Sequence, residues 1–187
     1  MDAHPQKVHA MATTSSTTPL TPQDRLKMLR MFSGCLVAAM GLVVACSLYL
    51  VTLMPHPTAL SPLATVFLGL AVGAHFACEY TYRRLTPLRS GADALPFEAV
   101  RDSTILRLGI IDAVLIVGVG VSFAAGSGAA SILLAAGIPS VALGLYHVFL
   151  SRRQLGRLEA LLDADGGSSR LLETLDGQLT PAPSTAA

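Results

Sequence analysis

The segment Leu29–Leu53, LRMFSGCLVAAMGLVVACSLYLVTL, decides the fold. Arg30 is its one formally charged residue, and the run exceeds the ~20 apolar residues that a helix needs to cross a bilayer core. Three further stretches repeat the pattern, at roughly 62–82, 105–125 and 129–150. Across all four, the side chains that normally carry charge are Arg30, Glu79, Arg107 and Asp112, with His75 and His147 as titratable neighbours. Helices satisfy their own backbone in hydrocarbon, so the expected class is all-α: a polytopic membrane protein of four transmembrane helices.

Composition agrees. The chain is 52% hydrophobic and 13% charged, with a mean hydropathy of +0.58, whereas soluble domains are about one quarter charged. Four spans and their loops almost consume the 187 residues, which leaves no room for a soluble domain of ordinary size. The net charge of +1, with no basic run interleaved with aromatics, sets nucleic acid aside as a partner. All but two of the 13 basic residues are Arg, and together with abundant Ala, Gly and Leu this points to a GC-rich bacterial genome and hence to the inner (cell) membrane.

Basic residues near span ends stay on the cytoplasmic side during insertion. Arg25, Lys27 and Arg30 precede the first span, Arg83, Arg84, Arg89, Arg101 and Arg107 flank the second and third, and Arg152, Arg153 and Arg157 follow the fourth. The loops 55–61 and 126–128 carry no Lys or Arg. Both termini and the middle loop are therefore expected in the cytoplasm, with two short outer turns closing two antiparallel hairpins. Residues 1–22, rich in Thr, Ser and Pro, are expected to be a disordered tail and 181–187 a disordered end. The bundle then occupies 23–154. Leu155, Leu158, Leu161 and Leu162, then Leu171, Leu172, Leu175 and Leu179, mark short cytoplasmic amphipathic helices within 155–180. Their acidic residues disfavour an anionic leaflet, so they are expected to pack on the bundle base or on a partner.

Val43, Val44, Ala45 and Cys46 resemble a lipoprotein cleavage box, but the apolar run continues past Cys46. Cys46, like Cys35 and Cys78, reads as a small packing residue. Small residues matter because helices in lipid associate by close backbone approach. Gly69 and Gly73, then Gly118 and Ser122, and Gly137, Ser140 and Gly144 offer such faces on three spans, for packing within the bundle or against a second copy. Pro139 interrupts the backbone ladder of the fourth span. A weak internal repeat sets Leu29, Arg30 and Gly41 against Leu106, Arg107 and Gly118.

The intramembrane polar residues are the candidate site. On the second span His75, Cys78, Glu79 and Tyr82 share one face, and on the fourth Ser140, Gly144, His147, Ser151 and Gln154 do. Asp112, about two turns inside the third span, is expected to meet His75 and His147. Glu79 has Arg83 one turn away as a structural partner, and His147 lies near enough to the surface to reach it.

Three functional classes follow. The first is a non-catalytic accessory or self-associating subunit, with the lipid bilayer and a membrane-protein partner or second copy as its surroundings, and with neither cofactor nor metal. The second is a small proton-coupled transporter or channel using Asp112, His75 and Glu79, for which only Thr65, Ser122 and Ser131 extend a polar path outward. The third is a b-type haem or metal-binding redox protein ligated by His75 and His147. The sequence holds no nucleophile triad, metalloprotease box or phosphate loop, so an enzyme is not expected.

Overall fold

The computed structural model describes residues 21–54, 60–90, 96–125 and 127–176. Its elements are α1 (Pro22–Thr52), α2 (Leu63–Arg83), α3 (Phe97–Ala125), α4 (Ala129–Leu143) running into a π-helical turn (Gly144–Val148), α5 (Arg152–Leu162) and α6 (Leu171–Asp176). Four of these segments are long and apolar enough to cross a membrane. At ~1.5 Å rise per residue, α1 and α3 each exceed 40 Å, so both outrun a hydrocarbon core of about 30 Å.

Local chemistry sets the ends. Thr21 caps α1 by accepting from the Asp24 amide at 3.2 Å, and Pro22 supplies a pre-set φ at the first helical position. Thr21 and Pro22, at the end of the tail expected to be disordered, are thus part of the α1 start, while residues 1–20 and 177–187 lie outside the described residues. Gly128 takes the left-handed conformation (φ 76°) that turns α3 into α4. Ser151 caps α5, accepting from the Gln154 amide at 3.3 Å, so that helix starts three residues earlier than the leucine spacing implied.

Helices α3 and α4 form the central antiparallel pair. α1 and α2 each pack on both of them but not appreciably on one another. The first hairpin expected from the sequence is therefore one of connectivity and not of packing. The tight turn at Gly128 and the close approach of Gly118 to Ala136 hold α3 to α4. A Cβ placed on Gly118 would come within 2.2 Å of the Ala136 Cβ, and one on Gly137 within 2.8 Å of Val44.

Small apolar clusters fill the bundle from the end that holds the α3–α4 turn toward the other: Val51 with Ala129 and Leu133, Phe67 with Ile132, Ala135 and Ala136, and Val37 with Met40, Ile111, Leu115 and Val148. The outer turns are joined by the Ser61 amide, which donates to Ser131 Oγ at 3.0 Å. At the opposite end, the base, Leu155, Leu158 and Leu162 of α5 and Leu171 of α6 bury against Leu26, Leu29, Tyr82 and Val100. The α2–α3 connection is pinned there by the Leu88 amide, which donates to the Leu162 carbonyl at 2.7 Å. Helices α5 and α6 thus close the base of the bundle.

Candidate functional site

The polar stripes of α2 and α4 meet at the base. His75 Nδ1 and His147 Nε2 lie 3.0 Å apart, so one imidazole donates to the other. His147 is fully buried, and its Nδ1 has no hydrogen-bond partner. That atom faces Glu79 Oε1 at 3.9 Å, beyond hydrogen-bond range. Glu79 is held elsewhere: Arg157 of α5 donates Nη1 to Oε1 at 2.9 Å and Nη2 to Oε2. This two-pronged pair replaces the Arg83 contact open to Glu79 along its own helix, because α5 folds across the end of α2 and Arg83 stays exposed. The Glu79 carboxylate in turn holds the Arg157 guanidinium above the usual arginine range.

Beneath this cluster lies a second layer. The Tyr82 hydroxyl donates to Gln154 Oε1 at 2.7 Å, and Gln154 Nε2 donates to the Tyr146 carbonyl. The guanidinium carbons of Arg107 and Arg157 sit 4.1 and 4.5 Å from the Tyr82 ring centroid. Arg107 is fully buried, with no carboxylate among its partners. It donates Nε to the Ser103 carbonyl at 2.8 Å, Nη2 to Ser103 Oγ at 2.6 Å and Nη1 to the His147 carbonyl at 3.0 Å. The last contact has a plain cause. A helix leaves its final carbonyls unpaired and its C-terminus partly negative, and the π-helical turn ends at Val148, so Arg107 caps α4 from the side.

A cleft of about 540 Å³ opens onto this cluster between His75, Glu79, Tyr146, Arg153, Gln154 and Arg157. Carboxylate and imidazole atoms of His75, Glu79 and His147 lie within 4.8 Å of one another, a set able to hold a metal ion. Haem fits poorly. Two nitrogens on opposite faces of one iron stand about 4 Å apart across a porphyrin plane, at metal–nitrogen bonds of ~2 Å. The two imidazoles touch directly, with centroids 5.0 Å apart and planes tilted by 48°. No slot for a macrocycle separates them.

Asp112 does not join His75 and His147. It lines an outward groove of about 390 Å³ between α1 and α3, among Leu36, Ala39, Met40, Val43, Leu108, Leu115, Ile116 and Val119. The inner stripe of α3 is Ile111, Leu115, Gly118 and Ser122, and Asp112 stands one residue, about 100° of helix rotation, away from it. Nor does a polar path continue outward among the described residues. Ser122 donates to the Val119 carbonyl of its own helix, Ser131 ties the outer turns, and Thr65 is exposed. Ser140 is buried without a hydrogen-bond partner.

The small residues divide by direction. Gly118, Gly137 and Gly144 face neighbouring helices, with Ala136, Val44 and Val37 in contact range. Gly69 and Gly73 face outward with no neighbour. No family model matches this chain, and neither the curated proteins nor the solved structures contain a match.

Proposed function

We propose that this protein is a non-catalytic accessory subunit of a membrane assembly, inserted in the inner membrane with both termini and the α2–α3 connection facing the cytoplasm. Asp112 carries the reading. It lies within an apolar helix, in a groove that opens sideways between α1 and α3, and makes no hydrogen bond or ion pair with any described residue. A lone ionised carboxylate costs several kcal/mol in such surroundings, even after relaxation, so it needs a partner or a proton. The groove is apolar apart from Asp112, and the reading seats in it one further helix bearing a donor or cation at that depth. The relay reading loses support from the same observation, because Asp112 lines a different groove from the His75, Glu79 and His147 cluster and no polar path leads outward among the described residues.

A second reading, self-association, is favoured by α2. Gly69 and Gly73 align at helical spacing with exposed Phe76 and Tyr80 on the outer surface, and nothing among the described residues covers them. The two faces are separable. Extraction from the native membrane in mild detergent, followed by mass measurement, is expected to give a complex larger than the monomer. Asp112→Leu should reduce it to the monomer, Asp112→Asn should keep part of it, and Gly69→Leu with Gly73→Leu should leave it intact. Loss with the glycine pair alone would select self-association through α2, and a wild-type monomer would overturn both.

A further inference from the structure

We propose that His75, Glu79 and His147 form a binding site for a borderline divalent transition-metal ion of the Zn²⁺ type, with Arg157 as the resident cation that the metal displaces. The inference is independent of the role of Asp112, which lies in a different groove.

Three observations converge. The donor set is two imidazoles and one carboxylate, a combination that suits zinc and its neighbours and not Mg²⁺ or Ca²⁺, which prefer all-oxygen shells. The ligand atoms already lie within 4.8 Å of one another, on two helices fixed by the base cluster. At bonds of about 2.0–2.2 Å, two ligands of one ion stand roughly 3.3–4.2 Å apart, so closing the set takes side-chain shifts of about 1 Å. The third observation is the buried, unpartnered His147 Nδ1, 3.9 Å from Glu79 Oε1. That spacing is too long for a hydrogen bond and right for two ligands flanking one cation. When His147 Nε2 donates to His75, Nδ1 presents a buried lone pair without a donor, at a cost of about 1–3 kcal/mol that a bound cation removes.

Access and charge fit the same reading. The cleft of about 540 Å³ leads to His75 and Glu79 from the base, and Tyr146 and Gln154 line its wall. Arg157 now satisfies the carboxylate with both arms of its guanidinium. A dication entering between Glu79 and the imidazoles competes for the same oxygens. Arg157 therefore opposes binding while holding α5 in place, which gives the site a signature that a merely structural cluster lacks.

The test is Zn²⁺ titration by calorimetry on untagged, full-length protein in mild detergent near neutral pH, with folding of each variant followed by circular dichroism and mass. The wild type is expected to bind one Zn²⁺ per chain and to give no comparable heat with Mg²⁺. His75→Ala, which removes a half-buried ligand together with the hydrogen bond to His147 Nε2, and Glu79→Gln should each weaken binding by at least about tenfold. Arg157→Gln should tighten it. Absence of Zn²⁺ binding by the wild type, unchanged affinity in His75→Ala and Glu79→Gln, or loss of affinity in Arg157→Gln would each overturn the assignment.

Discussion

At the end of the bundle that holds the α3–α4 turn, Val51, Ala129 and Leu133 meet without any ionised side chain, and Gly118 lets α3 approach α4 more closely than a Cβ facing Ala136 would permit. At the base, Arg107, Tyr82, Gln154, Glu79 and Arg157 form a connected polar layer, sealed by the leucines of α5 and α6. One end is held by shape and the other by hydrogen bonds to buried charge. The difference follows from the side chains at each end. Helices that meet through Gly and Ala associate by close backbone fit. At the base, burying the leucines of α5 and α6 keeps water from the polar layer.

Substitutions can break this contrast one end at a time. The largest effect is expected at Arg107, where truncation to Ala removes the three hydrogen bonds made by a fully buried cation and leaves the His147 carbonyl with only the long 3.4 Å contact from the Tyr82 hydroxyl. A loss of about 3 kcal/mol is expected, from the worth of charged hydrogen bonds. It should read out as faster maleimide labelling of the buried Cys78 when Cys35 and Cys46 are replaced by Ser. Arg107→Lys should lie between Ala and the wild type. Protection of Cys78 undiminished in Arg107→Ala would show that the base does not depend on that side chain.

The outer half has its own test. Gly118→Ala forces a methyl into a space where it meets Ala136 at 2.2 Å, and overpacking of this kind costs about 1–3 kcal/mol. Gly69→Ala, with open space around it, should leave stability unchanged or slightly raised, since Ala favours helix by about 1 kcal/mol over Gly. Thermal unfolding in detergent should separate the two, and equal effects would contradict the packing described for α3 and α4.

The smallest effect belongs to the rim of the base. Arg152 pairs with Asp176 at the surface, where Arg152 is 71% exposed. Exposed pairs contribute about 0–1 kcal/mol, so Asp176→Asn should barely shift unfolding. A large shift would mean that α6 depends on charge and not on Leu171.

How much of this was legible in the sequence depends on which residues are asked about. The four apolar helices were plain from length and charge alone. The stripes His75–Tyr82 and His147–Gln154 were also legible, because helical spacing puts their members on one face whatever the surroundings. Asp112 was not, since its charge and depth are the same whether it points at α4 or into the groove against α1, and one helical step separates the two. Arg107 looked like a loop-side charge marking orientation, yet it is buried beneath the end of α4. The pairing of Glu79 with Arg157 depends on where the chain turns at Phe149–Ser151 to start α5. That turn is set by a π-helical segment and a serine cap, which leave no periodic trace.

The π-helical turn at Gly144–Val148 has one more consequence. Such a turn is an α-helix carrying one surplus residue, and here it closes through the Phe149 amide donating to the Gly144 carbonyl at 2.9 Å. Deleting a single residue from it would return α4 to regular winding and rotate everything beyond by about 100°. Ser151, Gln154 and Arg157 would then arrive on the wrong side of the bundle. The meeting of Arg157 with Glu79 is thus a matter of reading frame along one helix, made or unmade by the gain or loss of one codon.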